Sequence, residues 1–132
     1  MQDAVATINQ AGVDLARLAI AQSGKQDIYI AGSIGPLGVR LKPFGRLSKE
    51  EAHEAFKEQI TALAEAGVDV LLMETFTDHV ELKEALAAAR EAAPGVPVIC
   101  HMTFGGDDRT LLGYLPGKVA RDLQEAGGMS SA

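Results

Sequence analysis

The feature that most constrains this chain is an alternation. Three short apolar runs, IYIAGS (28–33), VDVLLMETF (68–76) and VPVICHMTF (96–104), are separated by longer segments with helical spacing. The runs have the length and β-branched content of strands. Before the first, Val5, Ile8, Ala11, Leu15, Leu18 and Ala19 recur at helical spacing from about Asp3 to Ala21 and predict a helix. Ser48 opens a second helix with S-K-E-E, a capping box in which Glu51 reaches back to the Ser48 amide. Its expected core face is Ala52, Ala55, Phe56, Ile60 and Leu63, and Gly67 ends it. D-H-V-E at 78–81 resembles another capping box, with Val80, Leu86 and Ala89 turned inward and Pro94 and Gly95 stopping the helix. A short helix is expected near Lys118 to Ala126.

The order is therefore α-β-α-β-α-β-α, an α/β class with parallel strands joined by helical crossovers. Two architectures use it, the doubly wound sheet and the (β/α)8 barrel. In both, the loops after the strand C-termini build the site. Ser33, Glu74 and Thr103 stand at those ends, so parallel pairing should gather them on one edge of the sheet. The run VLLM before Glu74 reads as a strand buried on both faces. A carboxylate at the end of such a run must reach water, a partner or a ligand, because burying it unpaired is too costly. From position alone, a rim salt bridge or helix cap and a ligand contact weigh equally.

Other features narrow the function classes. The 132 residues fit one domain, and a net charge of −6 with no basic cluster argues against nucleic acid or an anionic membrane as partner. No stretch approaches the ~20 apolar residues of a membrane span, and the opening MQDAVATINQ lacks the pattern of a signal peptide; a cytoplasmic protein is expected. The single cysteine, Cys100, reads as a small buried hydrophobe and excludes an internal disulfide. His53 reads as part of a solvated helix face, His79 as a hydrogen-bonding or solvated group at a helix start, and His101 as a buried, satisfied imidazole. No pair of them has zinc-site spacing. GSIGPLG lacks the spacing of a phosphate-cradling loop and serves a turn.

Three blocks carry a family resemblance: AGSIGPLG (31–38), LSKEEAHEAFKEQITALAEAGVDVLLMETF (47–76), and PVICHMTF followed by RTLLG (97–104, 109–113). In order and spacing they resemble the homocysteine S-methyltransferases. That family includes the homocysteine-binding barrel of cobalamin-dependent methionine synthase, betaine–homocysteine methyltransferase and related bifunctional proteins. The resemblance implies a (β/α)8 barrel, homocysteine or a similar small thiol as substrate, and a zinc ion that lowers the thiol pKa so that a thiolate attacks an activated methyl group. It implies that Glu74 holds the substrate's amino group, with Ser33 and Thr103 as further substrate-binding positions. Cobalamin or folate would enter through the methyl donor.

The chain also departs from the family. The family's zinc ligands are three cysteines, one after the next strand and a pair in a Gly-Gly-Cys-Cys stretch, and neither occurs here. Cys100 lies in a different strand and is not carried over as a ligand, so no catalytic or metal residue is assigned. The chain reads as the middle of a barrel, about three of eight strands, over residues 1–127, with 128–132 an irregular tail. Such a piece is expected to be inactive alone and to self-associate through exposed strand edges. The alternative is a non-catalytic α/β module that binds a small molecule or joins another chain. A lyase or aldolase ranks below both, because no strand end here carries a Schiff-base lysine.

Overall fold

The computed structural model describes residues 4–127 and the backbone of residues 129–130. Its elements run α1 (Val5–Ser23), β1 (Ala31–Ile34), α2 (Lys49–Ala66), β2 (Val70–Phe76), α3 (His79–Ala92), β3 (Val98–Met102), α4 (Pro116–Glu125) and β4 (Met129–Ser130). The strands form one parallel sheet in the order β1-β2-β3-β4. This is the expected α/β arrangement of strands alternating with helices. Of the tail expected to be irregular, Met129 and Ser130 pair in parallel with Ile99 and Cys100. Backbone pairing with β3 offsets the weak strand propensity of those residues. Residues 128, 131 and 132 lie outside the described residues.

Local chemistry fixes the helix ends. The Ser48 hydroxyl accepts the Glu51 amide at 3.1 Å and the Glu51 carboxylate accepts the Ser48 amide at 2.9 Å, so the expected capping box forms. Gly67, at φ +88°, ends α2 in the left-handed conformation that glycine adopts without strain. The second box does not form. Asp78 caps α3 by accepting the Val80 amide at 2.9 Å, but Glu81 turns away to accept the Leu37 amide at 2.8 Å.

One layer of helices covers one face of the sheet. Leu71 and Met73 of β2, Val98 and Cys100 of β3 and Ile34 of β1 meet Phe56, Ile60, Leu63, Leu82 and Leu86 from α2 and α3. Phe56 and Phe76 lie with ring centroids 5.9 Å apart. Gly32 lets α2 approach β1, since a Cβ there would meet Leu63 Cδ1 at 3.0 Å. Ala55, expected in this core, is exposed at the edge of the stripe.

The opposite face is open. Ala31, Ser33 and His101 are exposed there, and Val70, Leu72, Glu74 and Ile99 are half-buried. The strand read as buried on both faces is thus fully buried on one, because no layer covers the second among the described residues. His101 is correspondingly exposed rather than a satisfied core imidazole.

The helix expected at the start of the chain forms as α1, but most of its spaced apolar residues face solvent. Val13 is its buried residue, with Val5, Ala16 and Ile20 half-buried, whereas Ile8, Leu15 and Leu18 are 63%, 68% and 54% exposed. α1 packs chiefly on α2, and β1 is the sheet edge among the described residues, so the face of α1 bearing Leu15 and Leu18 stays exposed. Arg17 holds the pair together by donating to the Ala66 and Gly67 carbonyls at 2.8 and 3.0 Å, where α2 leaves its last acceptors unpaired.

Candidate functional site

The site is built where the strands end. Parallel register sets Ser33 beside Leu72, which brings its hydroxyl within reach of Glu74 on the same open face. Ser33 Oγ donates to Glu74 Oε1 at 2.5 Å, across 41 residues of sequence. Glu74 is half-buried and Ser33 exposed, so the carboxylate keeps access to solvent. The third expected site residue, Thr103, is exposed one strand over, and its amide donates to the Phe76 carbonyl at 2.8 Å. It lines a cleft of about 320 Å³ with Thr77, Phe104, Asp107, Arg109 and Thr110, on the C-terminal side of β2 and β3.

The loops around this edge are tied down. Asp69 Oδ2 accepts the Ile30 amide at 2.7 Å and fixes the entry of β1 beside β2. The loop after β1 folds on itself through Lys42 N–Leu47 O at 2.8 Å and Gly45 N–Leu41 O at 2.9 Å. Glu81 anchors it to α3 at Leu37. Burial pushes the Glu81 carboxyl above its usual range, while the Leu37 amide favours its charged form. The loop after β3 is closed by Gly105 N–Arg109 O at 2.8 Å and by Arg109 Nη1 donating to the Gly113 carbonyl at 2.8 Å.

The histidines behave individually. His53 Nε2 lies 2.6 Å from Glu91 Oε2 and joins α2 to α3 rather than facing solvent freely. His79 is buried against Tyr114, with ring centroids 4.5 Å apart, and its Nε2 is 3.4 Å from Asp122 Oδ2. Its Nδ1 is buried without a hydrogen-bond partner among the described residues. This departs from the hydrogen-bonded or solvated role its position at a helix start suggests, because α4 closes over that end of α3.

The donor set does not fit a resident zinc ion. Among the described residues no three His, Cys, Asp or Glu side chains converge. Cys100 faces the helices, and burial pushes its thiol up to about 11, far from the thiolate a metal takes. Among the described residues no helix is long and apolar enough to cross a membrane.

Sequence reasoning named Ser33, Glu74 and Thr103, read His101 as a core imidazole, and did not foresee the contact of Glu81 with Leu37. Glu81 was concealed in the apparent capping box. The exposure of Thr75 depends on an irregularity in the pairing of β2 that no local pattern announces.

A parallel α/β sheet with polar residues at its strand ends belongs to the folds that bind ligands beyond those ends. Residues 1–131 match the family model described as homocysteine S-methyltransferase, and the chain belongs to that family. It is 30% identical over 131 residues to methionine synthase of Mycobacterium tuberculosis and 29% identical to methionine synthase of Mycobacterium leprae, covering 95% of this chain in each case. It spans only 11% of the length of those relatives. Its fold matches that of the homocysteine methyltransferase MmuM from Escherichia coli with a TM-score of 0.77 at 22% identity, over 96% of this chain and 48% of that one.

Proposed function

We propose that this chain forms part of the homocysteine-binding face of a zinc-dependent homocysteine S-methyltransferase, in which a methyl group passes to the homocysteine thiolate to give methionine. Glu74 takes the substrate ammonium, and Ser33 and Thr103 flank it. The observation that carries the reading is the Ser33–Glu74 hydrogen bond at the strand ends. By donating to Oε1, Ser33 restrains the carboxylate to one orientation and leaves Oε2 for an incoming cation. An ammonium–carboxylate hydrogen bond contributes about 1.5–3 kcal/mol, enough to prefer an amino acid over the same thiol without its amine.

Zinc, when bound, lowers the thiol pKa. Its donors are to be sought beyond the described residues, and so is the site for a cobalamin- or folate-linked methyl donor. The chain by itself is accordingly a binding unit without turnover.

The test is an NMR titration of the isotope-labelled chain with L-homocysteine and with 4-mercaptobutanoate, which lacks the amine. Saturable shifts at Ser33, Glu74 and Thr103 are expected, with the amine-free thiol binding about ten- to a hundredfold more weakly. Equal affinity for the two compounds, or no binding of either, sinks the reading.

A second reading rests on the unpartnered faces. Among the described residues β1 pairs on one side only, and α1 presents Ile8, Leu15 and Leu18 to solvent beside it. A free strand edge next to an apolar stripe favours self-association. Sedimentation of the wild type should show a concentration-dependent oligomer that Leu15→Lys returns to monomer. A wild type that stays monomeric at high concentration removes this reading.

A further inference from the structure

β2 departs from regular pairing in one place. Met73 faces Cys100 and Phe76 faces Met102, so Glu74 and Thr75 together stand opposite His101. Two residues against one is a β-bulge, a device that re-aims side chains. Thr75 adopts φ +69° there, a left-handed conformation that strains a β-branched residue.

The bulge decides which side chains share a face. Leu71 and Met73 point into the core, so unbroken alternation would send Thr75 after them and turn Phe76 outward. Instead Thr75 is exposed and Phe76 is fully buried against Phe56. Glu74 and Thr75, adjacent in sequence, therefore both avoid the core. Burying Phe76 accounts for a bulge but not for threonine within it. Glycine would take the same φ without strain, and an exposed side chain adds little to packing.

We infer that Thr75 is a second ligand-contacting residue, whose hydroxyl donates to the α-carboxylate of the amino acid whose ammonium Glu74 takes. The inference rests on the proposed role of Glu74. Its scale is apt: consecutive Cα atoms lie about 3.8 Å apart, and an α-amino acid carries both charged groups on a single carbon. Two neighbouring side chains that both avoid the core match that pair. The Ser33 hydroxyl is already committed to Glu74, so Thr75 supplies the donor that Ser33 does not.

The test compares L-homocysteine with 3-aminopropane-1-thiol, which keeps the amine and thiol but has no carboxylate. NMR titrations on the full chain would give Kd values for the wild type, Thr75→Gly, Thr75→Ser and Glu74→Gln. Thr75→Gly should melt no lower than the wild type, bind L-homocysteine about tenfold more weakly and bind the aminothiol unchanged. Thr75→Ser, which restores the hydroxyl, should recover L-homocysteine binding.

If Thr75→Gly binds L-homocysteine as the wild type does, or weakens both ligands equally, the inference is overturned. If Thr75→Gly has no effect while Glu74→Gln weakens both ligands, the Thr75 assignment alone falls. If Glu74→Gln changes neither, or the wild type binds neither, the ammonium site is wrong and the Thr75 assignment falls with it.

Discussion

The Glu81 carboxylate accepts the Leu37 amide at 2.8 Å, joining residues 44 apart in sequence. The first turn of α3, at the end of β2, thus holds the loop that leaves β1, and the two strand ends bearing Ser33 and Glu74 share a brace. Replacing Glu81 by leucine strands the Leu37 donor at a half-buried position and should destabilise the chain by about 1–3 kcal/mol. Glu81→Gln keeps an acceptor and should melt close to the wild type. Equal melting points for the leucine and glutamine variants would show that the contact carries no weight.

His79 gives the chain a pH dependence. Burial lowers its pKa, while Asp122 and Asp78 act to raise it and Lys83 and Lys118 to lower it further. In the unfolded chain the imidazole protonates near pH 6.5. Between its lowered folded value and about 6.5, the unfolded state therefore binds more protons, so stability rises with pH through that window and is lost as pH falls. Glu81, with a raised pKa, contributes the opposite slope at the acid end. Subtracting the profile of His79→Leu from that of the wild type removes the Glu81 contribution. The difference in thermal midpoint should climb towards pH 6.5 and flatten above it. A flat difference throughout would show that His79 does not titrate with folding.

Phe56 is 1% exposed and lies against Phe76, beneath the bulge. Phe56→Ala opens a cavity at the centre of the helix–sheet contact and should cost about 3–5 kcal/mol. Against a typical domain stability of 5–15 kcal/mol, that is a large part of the whole. The denaturant midpoint measures it. Glu65→Gln, on the exposed side of α2, is the control and should leave the midpoint nearly unchanged.

Ser48 and Glu51 satisfy each other's amides at the head of α2. Ser48→Ala should destabilise by about 0.5–2 kcal/mol. Ser48→Asp, which keeps an acceptor for the Glu51 amide, should retain most of the stability, and chemical denaturation separates the two.

What could be read from the sequence was what neighbours in sequence determine. The three main strands, the Ser48 box and the stop at Gly67 follow from spacing and capping over a few residues. Placing Ser33 and Glu74 together required one further rule, parallel pairing, and Ser33 Oγ and Glu74 Oε1 do meet at 2.5 Å. The misreadings concern partners distant in sequence. α1 has two apolar faces, and periodicity could not say which one α2 would cover. Glu81 had a local partner in pattern and a remote one in fact. His101 looked like a core residue because strand alternation does not name the covered face. The bulge at Thr75 arises from competition between Phe76 burial and regular pairing, which has no local signature.

The strand order has a consequence for how the chain comes into being. Each strand pairs with the one before it in sequence, after a single helical excursion. As the polypeptide leaves the ribosome, β2, β3 and β4 each meet an edge that has already been made. The edge that receives the next strand is open until that strand arrives, so during synthesis the sheet carries that growing margin in addition to the outer edge of β1. Assembly is accretion along a growing front, and pauses in translation would be most hazardous just after a strand is laid down and before its covering helix emerges.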